Sequence, residues 1–431
     1  MKYDSYSQNK QALTSASIQE RANYVTTSFS LVPLKLLTFL LMLGPWYGIF
    51  YSYTQQEPLI GLVADIELLI NFSIYTLILS VFLLTFKSNI RVRYKRSTLK
   101  SLISESKKIL AATLICFFIV FFFSGIHTLT GTLDRGEVRV HAGAIGPFYA
   151  FTLKYLMPAL SCITALFLYA QNKIKLAIIV YLILIINGFM TGSKAGTTFI
   201  MLSTACYFWP KFSLTKKSIA IALSAAFMVG SHIFFSDQQL DIEQSINYNI
   251  ARSTTVAAYG AVGSWEIVKT HEIETVATIL NSLFGRQITT FIFNLLGEVS
   301  NPIYWDMGKL VTYTYYPAWE RAEAGTVNLT LTIFSDFIFY FGKLWVIGLF
   351  IFMLFFYAIV KKMVYFLENG KIIFGTIFFV YINMTLLPAI NSGGFFQLLS
   401  LPVIIYYSLL LIILKYFLLK SQNHASNNHI T

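Results

Sequence analysis

Beyond Arg96 the chain spends its arginines at Arg135, Arg139, Arg252, Arg286 and Arg321, away from its lysine-rich segments. A planar guanidinium grips phosphate through two parallel hydrogen bonds, where lysine acts as a point charge. The stretch that carries the last three is otherwise acid-rich (Asp237, Asp241, Glu243, Glu266, Glu272, Glu274, Glu298, Asp306, Glu320, Glu323), so general basicity does not explain them. The chemistry this points to is a phosphate or pyrophosphate ligand; the plainer reading is salt bridging to those acids. A further cation, Lys194, stands in "TGSKAG" (191–196) between Gly192 and Gly196. Glycines allow a tight turn, and backbone amides freed there with Ser193 beside a cation hold an anion. Against this stands a lysine that simply snorkels from a helix end to water. Spacing adds a pattern, because Arg135 and Gly146, Arg252 and Gly263, and Arg286 and Gly297 are each eleven positions apart. Eleven positions are about three helical turns, so a small residue returns to the face of the cation and leaves room for a lipid or sugar.

Aromatic residues crowd "NPIYWDMGKLVTYTYYPAW" (301–319), with Tyr304, Trp305, Tyr313, Tyr315, Tyr316 and Trp319. Their faces suit the C–H faces of sugars, although Tyr and Trp also gather at any membrane interface. Candidate general bases are His141, His271, Glu266, Asp306, Glu320 and Glu323, and geometry has to choose among them. No metal-ligand spacing stands out, so neither metal nor cofactor is expected; Asp241 and Glu243 read as a solvated helix start.

These residues have to be positioned by membrane helices. With 56% hydrophobic and 12% charged residues, and a mean hydropathy of +0.64, the chain is not a soluble enzyme. Ten apolar spans are predicted, near 31–53, 64–86, 109–127, 146–170, 176–190, 197–209, 218–235, 343–360, 372–389 and 396–419. Basic loops at 87–108, 172–175, 211–217 and 361–371 fall on one side, which the positive-inside rule makes cytoplasmic together with both termini. The +12 formal charge then fixes orientation, and nucleic acid is not expected as a partner. Residues 1–30 are polar and predict no signal peptide, while Cys116, Cys162 and Cys206 fall in spans and imply no disulfides. The whole chain, 1–431, reads as one polytopic all-α membrane domain with a large periplasmic loop at 236–327. Inside that loop, 276–297 carries apolar residues with a 3.6-residue period, predicting an amphipathic helix on the membrane surface. "NLTLTIFSDFIFYFG" (328–342) is too short to cross comfortably and reads as a helix entering from the outer face.

The pattern resembles the O-antigen polymerase (Wzy) family of bacterial inner-membrane glycosyltransferases. The resemblance rests on "RGEVRVHAGAIG" (135–146), "TGSKAGTTFIML" (191–202), "ARSTTVAAYGAVG" (251–263) and the exit "GTVNLTLTIFSDFIFYFGKLWVIG" (325–348), and covers roughly residues 100–400. It implies a GT-C-type helical fold with about 10–12 membrane helices. It also implies a reaction between two undecaprenyl-pyrophosphate-linked glycans at the periplasmic face. A hydroxyl of one attacks the anomeric carbon of the other, and undecaprenyl pyrophosphate leaves. Arg135, Arg139, Lys194, Arg252, Arg286 and Arg321 would stabilise the charge on the leaving group. Gly192, Ser193, Gly196 and the aromatics Trp305, Tyr313, Tyr315, Tyr316 and Trp319 would bind substrate. His141, Asp306, Glu320 or Glu323 would serve as base. The bilayer, a Wzz-type chain-length regulator and a repeat-unit flippase are the implied partners.

Two rivals have different signatures. Ligases that resemble this chain place a histidine before the polar-start helix, where this sequence reads "AGTVN". A lipid-linked-oligosaccharide flippase predicts related halves and short loops, and the long loop opposes that.

Overall fold

The computed structural model describes residues 24–125, 146–169, 173–190, 194–235, 241–270, 275–296, 305–316 and 331–427. Two strands, sixteen α-helical elements and three short 3-10 turns occur among them. A strand β1 (Tyr24–Ser30) leads into α1 (Val32–Gln55) and α2 (Ile66–Leu84), and β2 (Asn89–Lys95) follows. Next come α3 (Arg96–Val120), α4 (Gly146–Leu168), α5 (Ile174–Met190), α6 (Lys194–Phe208) and α7 (Leu214–Phe235). Shorter helices follow: α8 (Ile242–Ser253), α9 (Thr255–Thr270), α10 (Thr275–Phe284), α11 (Arg286–Leu296) and α12 (Met307–Tyr315). The chain closes with α13 (Ile333–Phe341), α14 (Trp345–Glu368), α15 (Ile372–Ser392) and α16 (Leu401–Asn427).

The described parts of the ten expected spans are largely helical, but fewer than ten qualify as membrane crossings. Six described stretches are both long and apolar enough to cross a membrane: Val32–Gln55, Ile66–Leu84, Ser106–Ser124, Gly146–Leu168, Ile333–Glu368 and Ile372–Ser392. α2 illustrates why these helices form and what they bury. Asp65 caps its first turn by accepting from the Leu68 amide at 2.6 Å. Leu68, Phe72, Tyr75, Leu79 and Leu83 point into the bundle, while Ile70, Ile74, Leu77, Val81 and Leu84 are exposed on the opposite face. A helix apolar on both its packed and its open faces belongs in lipid. With no hydrophobic drive between helices in lipid, packing and polar contacts must join them. Trp345 Nε1 donates to Asn71 Oδ1 at 3.1 Å, and Tyr181 donates to the Ser161 carbonyl at 2.8 Å. Such bonds contribute about 0.6 kcal/mol each on average.

The described residues are mostly helical, as the all-α expectation has it, with one two-stranded ribbon added. β1 and β2 pair antiparallel with Phe29 opposite Ile90 and Ser28 opposite Arg91. The period-two pattern of β2 explains the pairing: Ile90 and Val92 are buried and Arg91 and Arg93 exposed. The Leu31 amide and the Ser30 hydroxyl both donate to the Ser88 carbonyl, closing the loop beneath α1 and α2. The ribbon marks one end of the bundle. The other end, here the loop end, carries the 56–65 connection, α8 to α12, and the turn between α15 and α16.

Two expectations about the loop are refined. The single amphipathic helix over 276–297 is two helices, because Gly285 takes a φ of +88° between α10 and α11. The short entering helix is present as α13, ended by Gly342 at a φ of +56°. It then folds back on α14, where a β-carbon added at Gly348 would stand 2.7–2.8 Å from the Phe341 and Phe337 rings.

Candidate functional site at the loop end

The floor of the loop end is α9, laid across α1. A β-carbon at Gly48 would meet the Thr254 carbonyl oxygen at 2.6 Å, so only glycine permits this approach of α1 to the start of α9. Asp65 fixes the far end of α9, accepting from Trp265 Nε1 at 3.0 Å and from Lys269 Nζ at 2.5 Å. Partial burial works against ionisation of Asp65. Lys269, the Leu68 amide and the Trp265 indole outweigh it and hold the carboxyl below the usual carboxylate value.

α10, α11 and α12 form the upper layer. Trp305 is 2% exposed, its ring 5.4 Å from Phe293 and its carbonyl accepting from Asn281 Nδ2 at 3.0 Å. Its indole therefore packs the layer together and offers no open face. Asp306 caps α12 by accepting from the Lys309 amide at 3.2 Å. Tyr313 is exposed, and Tyr315 and Tyr316 are half-buried beside Tyr259. Arg286 is exposed at the first position of α11, directly after Gly285.

Several expected residues are placed by backbone alone. Lys194 opens α6 with Gly196 in the same turn, and Arg252 lies in the last turn of α8. Arg135, Arg139, His141, Gly192, Ser193, Trp319, Glu320, Arg321 and Glu323 lie outside the described residues. The eleven-residue arginine–glycine spacing does not survive at Arg252 and Gly263. The chain breaks at Thr254 between α8 and α9, so no continuous helix joins them. Gly263 instead makes room for Val311 and Ile60, which a β-carbon there would approach to 2.4 and 3.1 Å.

The residue that sequence reasoning missed is Asp336. It lies on α13, 4% exposed, and its Oδ2 accepts from the backbone amides of Gly394 and Phe395 at 2.5 and 2.6 Å. Gly393 and Gly394, at φ of +71° and +95°, shape the turn that presents those amides. A β-carbon on Gly393 would stand 3.3–3.4 Å from the carboxylate oxygens. Tyr340, one turn on from Asp336, packs against the apolar cluster of Met307, Leu310 and Val311 from α12. Four separate segments thus adjoin: α10 packs on the Phe396–Leu399 turn, α12 shares an apolar cluster with Tyr340, and α13 holds the Gly393–Phe395 turn through Asp336. Tyr340 also stacks edge-on with Phe396, 4.7 Å between centroids. Chemically, the place gathers the Asp306 and Asp336 carboxylates and the Tyr340 hydroxyl, groups of the kind that bind or deprotonate a polyol, and exposed Arg286 follows Ser282 by four residues across the Gly285 break. An acid within the apolar run "TIFSDFIFYF" was the available signal, since ionisable groups in such runs are costly and usually functional. Compared with protein-family models, with curated proteins and with solved structures, the chain matches none.

Proposed function

We propose that this protein is an O-antigen polymerase, joining undecaprenyl-pyrophosphate-linked oligosaccharide repeat units at the periplasmic face of a bacterial inner membrane. The observation that carries the reading is the gathering of α10, α12, α13 and the Gly393–Phe395 turn at the loop end, with Asp336 and Tyr340 among them and Arg286 exposed just past α10. A polyol acceptor needs carboxylates and hydroxyls, and a pyrophosphate leaving group needs cations. The lysine-rich loops and the ribbon, with exposed Arg91 and Arg93, gather at the opposite end, which supports a cytoplasmic ribbon end and a periplasmic loop end. In this reading the acceptor hydroxyl loses its proton to a loop-end carboxylate and attacks the anomeric carbon. The bond to pyrophosphate breaks, and the electron pair leaves with undecaprenyl pyrophosphate. Arg286, with Arg135, Arg139, Lys194, Arg252 and Arg321, would neutralise that charge.

The lipopolysaccharide profile of a strain lacking the protein tests this directly. Loss of a polymerase leaves units that are still flipped and ligated, so the gel should show core plus one repeat unit and no ladder. Bare core with lipid-linked polymer accumulating would replace the reading with a ligase. Absence of both capped core and periplasmic polymer would replace it with a flippase.

A further inference from the structure

α11 presents three distinct faces. Thr289 and Phe293 are buried against the protein, and Gln287 and Asn294 are exposed polar residues. Ile288, Phe291 and Leu295 form a third face, with Phe291 63% and Leu295 71% exposed. At 100° per residue, these three positions fall within about 60° of arc, opposite Arg286 and well away from the buried pair. α10 continues the apolar surface with Val276, 68% exposed, and Phe284 beside the Gly285 break. A soluble protein rarely leaves such a strip uncovered.

What covers it follows from its neighbours. α10 packs against the Phe396–Leu399 turn and the adjoining α16. There Leu399, Leu401, Ile404 and Ile405 are exposed on the outside of the bundle, where a membrane protein meets lipid. The apolar strip of α10 and α11 is thus continuous with the lipid-facing surface of the last membrane helix. We infer that α10 and α11 are embedded in the interfacial zone of the bilayer leaflet at the loop end, with Ile288, Phe291 and Leu295 in the acyl region. Amphipathic helices of this kind bury their apolar face about 5–10 Å into the headgroup and acyl boundary. Gln287 and Asn294, about a quarter-turn round, then lie above the acyl region, and Arg286, opposite the apolar face, points outward past the headgroups. Resting on the polymerase reading, the pair would hold Arg286 at the outer edge of the leaflet, where it meets the pyrophosphate of a lipid-linked glycan.

The test uses the full chain reconstituted in phosphatidylethanolamine/phosphatidylglycerol vesicles. Cys116, Cys162 and Cys206 are buried, which favours labelling of an introduced cysteine. An environment-sensitive fluorophore is attached to Phe291→Cys or Leu295→Cys, with Asn294→Cys as the water-side control. Doxyl-labelled lipid should lower emission at 291 and 295 by about twofold or more and leave 294 nearly unchanged, as expected for a face in the acyl boundary. Equal quenching at all three positions would overturn the orientation. No quenching at 291 and 295 would overturn the inference, and cross-linking between labelled copies would then identify a second chain as the cover. Quenching is read without turnover, so a normal ladder in the deletion strain would remove the polymerase reading while leaving this result intact.

Discussion

Replacing Asp336 separates two jobs that its carboxylate performs. One oxygen accepts from both Gly394 and Phe395, so Asp336→Ala strips two backbone amides of their acceptor at once. Leaving a buried donor unpaired costs roughly 1–3 kcal/mol. The turn is only half-buried and water can recover part of this, so a loss of about 2–4 kcal/mol is expected for the pair. Asp336→Asn keeps a carbonyl oxygen where Oδ2 now stands and loses only the charge reinforcement, roughly half the Asp336→Ala effect or less. Thermal unfolding of the purified protein in detergent, followed by tryptophan fluorescence, should rank wild type above Asn and Asn well above Ala. Polymer formation should rank differently, because Asn preserves the turn but removes a carboxylate from the polyol site; both variants should lose the ladder. Equal stability of Ala and wild type would refute the amide-clamp argument. A full ladder with Asn, at normal protein level, would show that the carboxylate serves the turn alone.

Arg286→Lys should lower polymerisation by roughly tenfold or more at unchanged protein level, because lysine keeps the charge but loses the second hydrogen bond. Quantified ladders check this, and full activity would return Arg286 to the role of balancing loop acids. The Asp65–Lys269 clasp should contribute under about 1 kcal/mol, since both partners are partly exposed. Its sign is set by the depressed carboxyl: the contribution is complete above the unfolded value of about 3.9 and is lost as pH falls through the lower folded value. Lys269→Met should flatten that acid limb in an unfolding series against pH. A cysteine at Gln238 should label with an impermeant thiol reagent in spheroplasts and one at Ser213 should not; the reverse would invert the orientation.

The bundle is legible because lipid leaves few solutions: the described long apolar runs became helices, and basic loops gathered at one end. The ribbon is harder to read, since "NIRVRYK" looks like a solvated basic loop by charge, while its alternation of Ile90 and Val92 with arginines is a strand pattern. The break at Gly285 hides inside an apolar period that runs on undisturbed through both α10 and α11. Of the candidate site, composition finds Arg286, Asp306 and the tyrosines, but it cannot distinguish Trp305 as packing from Tyr313 as surface. Asp336 escapes because its partners, Gly394 and Phe395, lie nearly sixty residues away and bind through backbone, which no side-chain pattern encodes.

The β1–β2 ribbon has a consequence for how the chain enters the membrane. Its strands flank α1 and α2, so once either helix has crossed they share a side only if the other has crossed too. Should one helix fail to insert, residues 24–30 and 89–95 would be separated by the full thickness of the bilayer and could not pair. The ribbon is therefore incompatible with a hairpin of which one helix alone has inserted. It can close once Lys95 has left the ribosome, before the last helices exist, giving later helices a settled first pair to pack against.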